Sequence, residues 1–105
     1  MSSRDLPVVL SAKARQDFVD ILRYTAETWG ATQLTTYRDR IDQALQSIAR
    51  NPEIGHFDDA VASTHRVYLV GSHVIVYRIE ATRLGVIRIL HQRMQRSRHI
   101  PDQQS

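Results

Sequence analysis

The feature that most restricts the fold of this chain is a pair of helical apolar stripes joined by a link of only one to three residues at Gly30. Apolar residues three and four positions apart share one helix face, and they predict a first helix over about 12–29 with Ser11 as its N-cap. The second stripe starts almost at once and ends at Asn51-Pro52, because the residue before a proline avoids helical geometry. So short a link predicts an antiparallel helical hairpin. The stripes consist of Ala14, Phe18, Ile21, Leu22, Thr25 and Trp29, and of Leu34, Tyr37, Ile41, Ala44, Leu45 and Ile48.

The aromatic residues of this hairpin raise the alternatives of base stacking and core packing. We interpret Phe18, Tyr24, Trp29 and Tyr37 as core side chains, because their spacing follows the apolar stripes. The outer faces carry charges of both signs, which is typical of a solvated helix surface. These charged residues are Arg15, Asp17, Asp20, Arg23, Arg38, Asp39, Arg40 and Asp42.

Three short apolar runs predict the sheet against which the helices pack. They cover 66–70, 73–79 and 84–90, and the first two are joined by Gly71-Ser72, with glycine first as a type II′ turn prefers. Short links make these strands antiparallel neighbours. A run at about 7–10, with a proline at its start, predicts a further strand at an edge. The order β-α-α-β-β-β predicts an α+β fold, with the helical hairpin on one face of a mainly antiparallel sheet.

The length of the chain, 105 residues, predicts a single domain. We expect its core to cover about 7–91 and a basic C-terminal extension to cover 92–105. The connection 51–65 is long enough to be either mobile or a binding loop. The N-terminus lacks the pattern of a signal peptide, and the longest apolar run is far shorter than the ~20 residues that span a membrane. We therefore expect a soluble, cytoplasmic protein without a membrane partner.

Charge is distributed unevenly along the chain. Residues 1–60 contain seven basic and nine acidic side chains, whereas residues 61–105 contain seven arginines and two acids. The second part therefore has a net charge of +5. Such a segment indicates an acidic partner, either nucleic acid or an acidic protein surface.

Several classes of chemistry have no support in the sequence. The chain has no cysteine, which excludes disulfides and thiolate metal sites. No predicted helix carries the His-x-x-x-His or Glu-x-x-His spacing of a metal site, and the sequence has no glycine-rich phosphate loop, so we expect no metal and no cofactor. RNA cleavage by general acid–base chemistry stays open, because Arg66, Arg78, Arg88 and His91 lie on adjacent predicted strands and could converge. Spacing alone does not decide whether these side chains converge.

Four segments together carry a resemblance to a known family. They are "LSAKARQDFVDILRYTAETWG", "YRDRIDQALQSIARNPEIG", "HRVYLVGSHVIVYRI" and "VIRILHQRM". Over about 8–99 the chain resembles ParE toxins of the RelE/ParE superfamily of bacterial toxin–antitoxin systems. The resemblance implies the fold predicted above and a cognate, ParD-like antitoxin that binds the toxin in a hetero-oligomer. It also implies a target, which is DNA gyrase for ParE-type members and ribosome-bound mRNA for RelE-type nucleases.

Two positions distinguish these branches. Nuclease members commonly place an arginine and a tyrosine where this chain has Val74 and Gln92, and only His91 matches their pattern. We therefore predict a toxin that inhibits gyrase by binding rather than by its own chemistry. The alternatives are a ribosome-dependent mRNA endonuclease that uses His91, Arg88 and Arg66, and a non-toxic homologue that acts only in the antitoxin complex. Direct contact with nucleic acid stays open. The predicted target-binding residues are Arg88, His91, Arg93, Met94, Arg96 and Arg98.

Overall fold

The structure, a computed structural model, describes residues 6–93. Its elements follow the predicted order β-α-α-β-β-β, and the α+β fold class is confirmed. They are β1 (Val8–Leu10), α1 (Ala12–Trp29), α2 (Ala31–Arg50), β2 (Arg66–Val70), β3 (His73–Ile79) and β4 (Leu84–His91). A short 3-10 turn, Pro52–Ile54, follows α2. Within residues 6–93, neither helix has the length and apolar character needed to cross a membrane.

Local hydrogen bonds set the bounds of the two helices. The Ser11 hydroxyl oxygen accepts the Ala14 N–H at 3.0 Å, which caps the first turn of α1. Gly30 has a φ of 95°, a conformation that favours glycine. Its N–H donates to the Ala26 carbonyl, and its own carbonyl accepts the Leu34 N–H. One glycine therefore ends α1 and starts α2, which folds the two helices into a hairpin.

The strands form one sheet in the order β1-β4-β3-β2. β2, β3 and β4 are antiparallel neighbours, as predicted, and β1 lies at the edge, parallel to β4. A β-bulge interrupts the β3–β4 pairing, because Val76 pairs with Arg88 while Tyr77 pairs with Val86. Ile87 is thus an extra residue in β4 and reverses the alternation of side chains beyond it. Val86 and Ile89, three positions apart, consequently pack in the same cluster on the helix side.

The sheet is covered on both faces. The helices bury the larger cluster, which includes Ala14, Ile21, Tyr37, Ile41, Ile48, Ile75, Tyr77, Leu84, Val86 and Ile89. A smaller cluster of Val67, Val74, Val76 and Leu90 packs with Val61 of the connection 51–65. That connection is attached to the sheet by a bridge between His56 and Val67. The Tyr77 hydroxyl accepts the Gly55 N–H at 2.9 Å and donates to the Pro52 carbonyl at 2.7 Å.

Two aromatic residues of α1 contradict the prediction of core packing. Tyr24 is 64% exposed and Trp29 is 69% exposed, whereas Tyr37 is buried as predicted. Ile21 and Thr25 take the inward positions, and Tyr24 lies about 100° around the helix from Thr25. The position of Trp29 in the sequence fits the apolar stripe of α1. Trp29 is, however, the last residue of α1, and its side chain lies outside the core. Helical spacing gives a direction, and only the tertiary structure shows how far the core extends beneath it.

Candidate functional site

A cluster of three ring side chains lies where β3 begins and β4 ends. The strand register pairs His73 with His91, and their rings meet edge to face with centroids 5.3 Å apart. Tyr37 of α2 reaches the same point, with its hydroxyl oxygen 2.7 Å from Nδ1 of His73. Gly71 permits this approach, because a Cβ at that position would lie 2.6 Å from the Tyr37 hydroxyl. Its φ of 58° also suits the first position of the predicted type II′ turn.

His73 is partly buried, and its Nδ1 shares a hydrogen bond with the Tyr37 hydroxyl. The Tyr37 hydroxyl donates its single proton to the Val70 carbonyl at 3.1 Å and accepts the Ser72 N–H at 3.3 Å. Burial, followed by the nearby charge of His91, lowers the pKa of His73 to about 4. At neutral pH His73 is therefore uncharged.

His91 is held by the chain that follows it. Its Nδ1 accepts the Arg93 N–H at 3.1 Å, so the neutral ring carries its proton on Nε2. The Gln92 N–H donates to the Ser72 carbonyl at 2.9 Å and continues the β3–β4 ladder by one bond. The exposed side chain of Arg93 is the last that the structure describes. Met94, Arg96 and Arg98, which the sequence places in the target-binding surface, lie outside the described residues.

Two adjoining cavities open around the histidine pair. One, of about 380 Å³, is lined by Tyr24, Thr25, Trp29, Gln33, Tyr37, Ser72, His73 and His91. The other, of about 350 Å³, is lined by Asp20, Ile21, Tyr24, His73 and His91. Among residues 6–93, no arginine or lysine lines either cavity. The same part of the chain holds no group of three or more histidines and carboxylates placed to bind a metal.

Arg88 lies at the edge of the sheet, in an ion pair with Asp17 of α1. Its Nε donates to Asp17 Oδ2 at 2.7 Å and its Nη2 donates to Oδ1 at 2.9 Å. The two side chains are only 17% and 13% exposed. Asp17 Oδ2 also accepts the Ile89 N–H at 2.9 Å, beyond the point where β1 ends its pairing with β4. The hydrogen bonds to Asp17 raise the pKa of Arg88.

The prediction that Asp17 belongs to a solvated helix surface is therefore wrong. Its carboxylate accepts a free backbone N–H at the sheet edge and a guanidinium, two donors that spacing on α1 does not reveal. Helical periodicity describes the surface of one helix alone. Here Arg88 and Ile89 of β4 contact Asp17, which periodicity places on the outer face of α1.

Arg66 lies far from the histidine pair along the sheet. It pairs with Tyr77, whereas Val70, four residues further along β2, pairs with His73. Four strand residues span about 13 Å. The Arg66 guanidinium donates to the Gly55 carbonyl at 2.9 Å and lies 4.4 Å from the centroid of the Phe57 ring. Arg66, Arg88 and His91 consequently do not converge on one point.

The two positions that distinguish the branches of the superfamily also have clear environments. Val74 is 2% exposed and belongs to the cluster on the sheet face away from the helices. Gln92 is exposed beside the hairpin turn.

The residues that the sequence analysis missed are His73, Tyr37, Tyr24 and Trp29. The Gly71-Ser72 turn is the signal that identifies His73, because a two-residue turn fixes the register of β2 and β3.

Comparison with known proteins agrees with the resemblance seen in the sequence. A family model described as the ParE toxin of the type II toxin–antitoxin system parDE matches residues 8–96. Toxin ParE1 of Caulobacter vibrioides is 34% identical over 94 residues, which cover 90% of this chain and 97% of that protein. Toxin ParE1 of Mycobacterium tuberculosis is 36% identical over 102 residues, which cover 95% of this chain and 100% of that protein.

Solved structures share the fold at lower identity. A chain of the chromosomal ParDE toxin–antitoxin system from P. aeruginosa matches with a TM-score of 0.71 and 12% identity, covering 82% of this chain and 95% of that chain. The YoeB dimer from Staphylococcus aureus matches with a TM-score of 0.60 and 17% identity, covering 84% of this chain and 98% of that chain. The match of the family model to residues 8–96 and the 34–36% identity to two ParE1 toxins show that this chain belongs to the ParE toxin family, as a toxin of a type II toxin–antitoxin system.

Proposed function

We propose that this toxin acts in the cytoplasm by binding DNA gyrase, without chemistry of its own, and that a cognate antitoxin neutralises it. The observation that carries the proposal is the separation of the groups that RNA cleavage would need. Cleavage by general acid–base chemistry requires a proton-transfer group with a pKa near the working pH and a cation that stabilises charge on the phosphate.

Among the residues that the structure describes, no arginine or lysine lines the cavities around the histidine pair. His73, with a pKa of about 4, is too weak a base for efficient proton transfer at neutral pH. The guanidinium of Arg88 is bound by Asp17, and that of Arg66 lies at the opposite end of the sheet. Val74 places an apolar side chain in a closed cluster where nuclease relatives commonly have an arginine. These facts favour binding over catalysis.

The proposed target surface begins at the histidine pair and continues along the basic C-terminal segment. His91, Arg93, Met94, Arg96 and Arg98 would contact an acidic surface of the target, because guanidinium groups pair well with carboxylates and phosphates. Arg88 contributes to this surface by fixing β4 against α1 through Asp17. Direct contact with the DNA held by gyrase fits the same charge.

A cognate antitoxin as partner is supported by the relatives. The similar solved structures include the ParDE system of P. aeruginosa and the YoeB–YefM complex of S. aureus, both with the same fold in their toxin chains. An antitoxin with an acidic segment would cover the arginines and keep the target away. We therefore expect the protein to be stored as a hetero-oligomer.

Gyrase supercoiling tests the proposal directly. Purified protein should inhibit supercoiling and cause cleaved DNA to accumulate, and His91→Asn should reduce this effect only modestly if His91 binds rather than transfers protons. One specific observation, the contact of His73 with His91 beside a cavity, favours the ribonuclease as second candidate. No effect on gyrase, together with mRNA cleavage on ribosomes that His91→Asn abolishes, would replace our proposal with that one.

A further inference from the structure

The two cavities beside the histidine pair share Tyr24, His73 and His91, and together they form one cleft. Asp20 lines one end of this cleft and Trp29 lines the other. Asp20 lies one turn of α1 before Tyr24, whereas Trp29 is the last residue of the helix. The cavities, of about 350 and 380 Å³, lie within the roughly 300–1,000 Å³ typical of ligand pockets. The cleft can therefore hold a small ligand whose two ends differ in chemistry.

Asp20 gives the cleft a negative charge. Among residues 6–93, no arginine or lysine lines either cavity, and His73, with a pKa of about 4, is uncharged at neutral pH. A phosphate or a carboxylate in the cleft would lose its hydration and meet repulsion from Asp20 without a compensating cation. A ligand with a positive charge would instead be attracted. The charge of the lining therefore selects for a cation.

The Asp20 carboxylate has one oxygen to offer such a cation. Its Oδ1 accepts a hydrogen bond from Nε2 of Gln16 at 2.8 Å and lies 4.0 Å from Nη1 of Arg23. Its Oδ2 has no partner among residues 6–93. The ion pair with Arg23 is weak, because both side chains are more than half exposed and their separation is at the limit of such a pair. Arg23 therefore competes with a ligand cation without excluding it.

Exposed aromatic rings in the same cleft also favour a cation. Tyr24 is 64% exposed and Trp29 is 69% exposed, and both line the cleft. Tryptophan and tyrosine rings attract ammonium and guanidinium groups to their faces. The rings and the buried Ile21, which lines the cavity at Asp20, also provide apolar surface. A carboxylate, aromatic faces and an aliphatic side chain around one concave site suit a cation that is carried on an aliphatic stem.

From these observations we propose that the cleft binds an organic cation, namely an alkylammonium or guanidinium group on a short aliphatic stem. The cationic group lies at Oδ2 of Asp20, and the stem packs against Tyr24 and extends toward Trp29. A free amine and a lysine or arginine side chain share this chemistry, and the experiment below distinguishes these two sources. The inference goes beyond the proposed function, which assigns no ligand to these cavities.

Fluorescence of the purified protein tests the inference, because Trp29 is the only tryptophan of the chain and lines the cleft. Titration with n-hexylammonium at about pH 8, where an ordinary histidine is uncharged, should change the emission in a saturable manner. Amide chemical shifts of the cleft residues report the same binding independently of the tryptophan. n-Hexanol, which has the same stem without the charge, should bind at least about tenfold more weakly. Tighter binding of N-acetyl-lysine amide than of n-hexylammonium indicates a protein side chain as the source, and weaker binding indicates a free amine.

Two substitutions on α1 should change the affinity for n-hexylammonium in opposite directions. Asp20→Asn should weaken binding at least about fivefold, because it removes the charge that faces the ligand. Arg23→Gln should strengthen binding about two- to threefold, because it removes the competing cation. Asp39→Asn is the matched control, since Asp39 is 60% exposed, Asp20 is 57% exposed, and Asp39 pairs with Arg38 on α2 instead of lining the cleft. This variant should bind within about twofold of the unmodified protein.

Three results would overturn the inference. Absence of both a fluorescence change and amide shifts at millimolar n-hexylammonium would show that the cleft binds no such cation. Equal binding of n-hexanol would show that the cleft selects the apolar stem alone. Equal losses for Asp20→Asn and Asp39→Asn would indicate a general attraction of cations to the acidic side chains of the helices. Thermal unfolding by circular dichroism checks that the variants fold, as expected for substitutions at exposed positions.

Discussion

Removal of the Asp17 carboxylate should destabilise the fold more than removal of any exposed acid. In Asp17→Ala, Arg88 loses both of its hydrogen bonds to the carboxylate, and the Ile89 N–H loses its acceptor at the sheet edge. Hydrogen bonds to charged groups contribute about 1.5–3 kcal/mol each, and breaking a buried ion pair costs about 3–5 kcal/mol. The side chains of Arg88 and Asp17 are 17% and 13% exposed, so solvent screens part of their interaction. We therefore expect Asp17→Ala to lower the free energy of unfolding by about 2–4 kcal/mol.

Urea unfolding followed by far-UV circular dichroism measures this loss. Tryptophan fluorescence is a poor reporter of unfolding here, because Trp29 is already 69% exposed in the folded protein. The matched control is Asp39→Ala, since the ion pair of Asp39 with Arg38 has a distance of 3.7 Å and side chains that are 60% and 47% exposed. That variant should change the free energy of unfolding by less than about 0.5 kcal/mol.

A double-mutant cycle separates the ion pair from other effects of the substitution. The cycle combines Asp17→Ala with Arg88→Met, which keeps much of the apolar stem of the arginine. We expect a coupling free energy of about 1–3 kcal/mol, since the two side chains are in direct contact. A coupling below about 0.5 kcal/mol, or a loss for Asp17→Ala no larger than that for Asp39→Ala, would refute the assignment of Asp17 as the residue that joins α1 to β4.

Three further predictions concern the hairpin turn, the histidine pair and the basic segment. Gly71→Ala should lower the free energy of unfolding by about 2–3 kcal/mol, because its φ of 58° is unfavourable for other residues and the new Cβ would lie 2.6 Å from the Tyr37 hydroxyl; a change under 0.5 kcal/mol would contradict the contact. His73 stays neutral in the folded protein down to a pKa of about 4, whereas in the unfolded chain it takes up a proton near pH 6.5. The free energy of unfolding should therefore be largest above pH 6.5 and decrease as the pH falls toward about 4. After discounting for solvent, this decrease is about 1–2 kcal/mol, and His73→Gln should reduce the slope of unfolding free energy against pH; an unchanged slope would exclude His73 as its source. Charge reversal of Arg93 and Arg96 together should abolish toxicity in a growth assay, and survival of toxicity in a stably folded variant would place the target surface elsewhere.

The local structure followed from the sequence because its causes lie within a few residues. The N-cap at Ser11, the glycine at Gly30 and the proline at Pro52 act on their immediate neighbours, so the bounds of α1 and α2 match their predictions. The antiparallel order of β2, β3 and β4 followed likewise, because two-residue and four-residue links leave no other arrangement. The family resemblance came from motifs spread along the whole chain, and the comparisons confirm it.

The candidate site was only partly predictable. His91 was identified from its motif, but its partners His73 and Tyr37 come from a hairpin register and a helix separated from it by many residues. Tyr24 and Trp29 were assigned to the core because their spacing matched the apolar stripe, yet the core ends before it reaches them. The sequence carries no signal for where a helix extends past its supporting sheet.

The sequence by itself determined the elements, their order and the basic character of the segment after Arg83. Only the tertiary structure decided which charges are available to a partner. Regular alternation along β4 would place the side chains of Val86 and Arg88 on the same face of the sheet. The extra residue Ile87 reverses this alternation. Arg88 consequently lies at the edge of the sheet, where the Asp17 carboxylate binds its guanidinium. A bulge and an ion pair across 71 positions of the chain depend on contacts that periodicity does not encode, because periodicity describes each element alone.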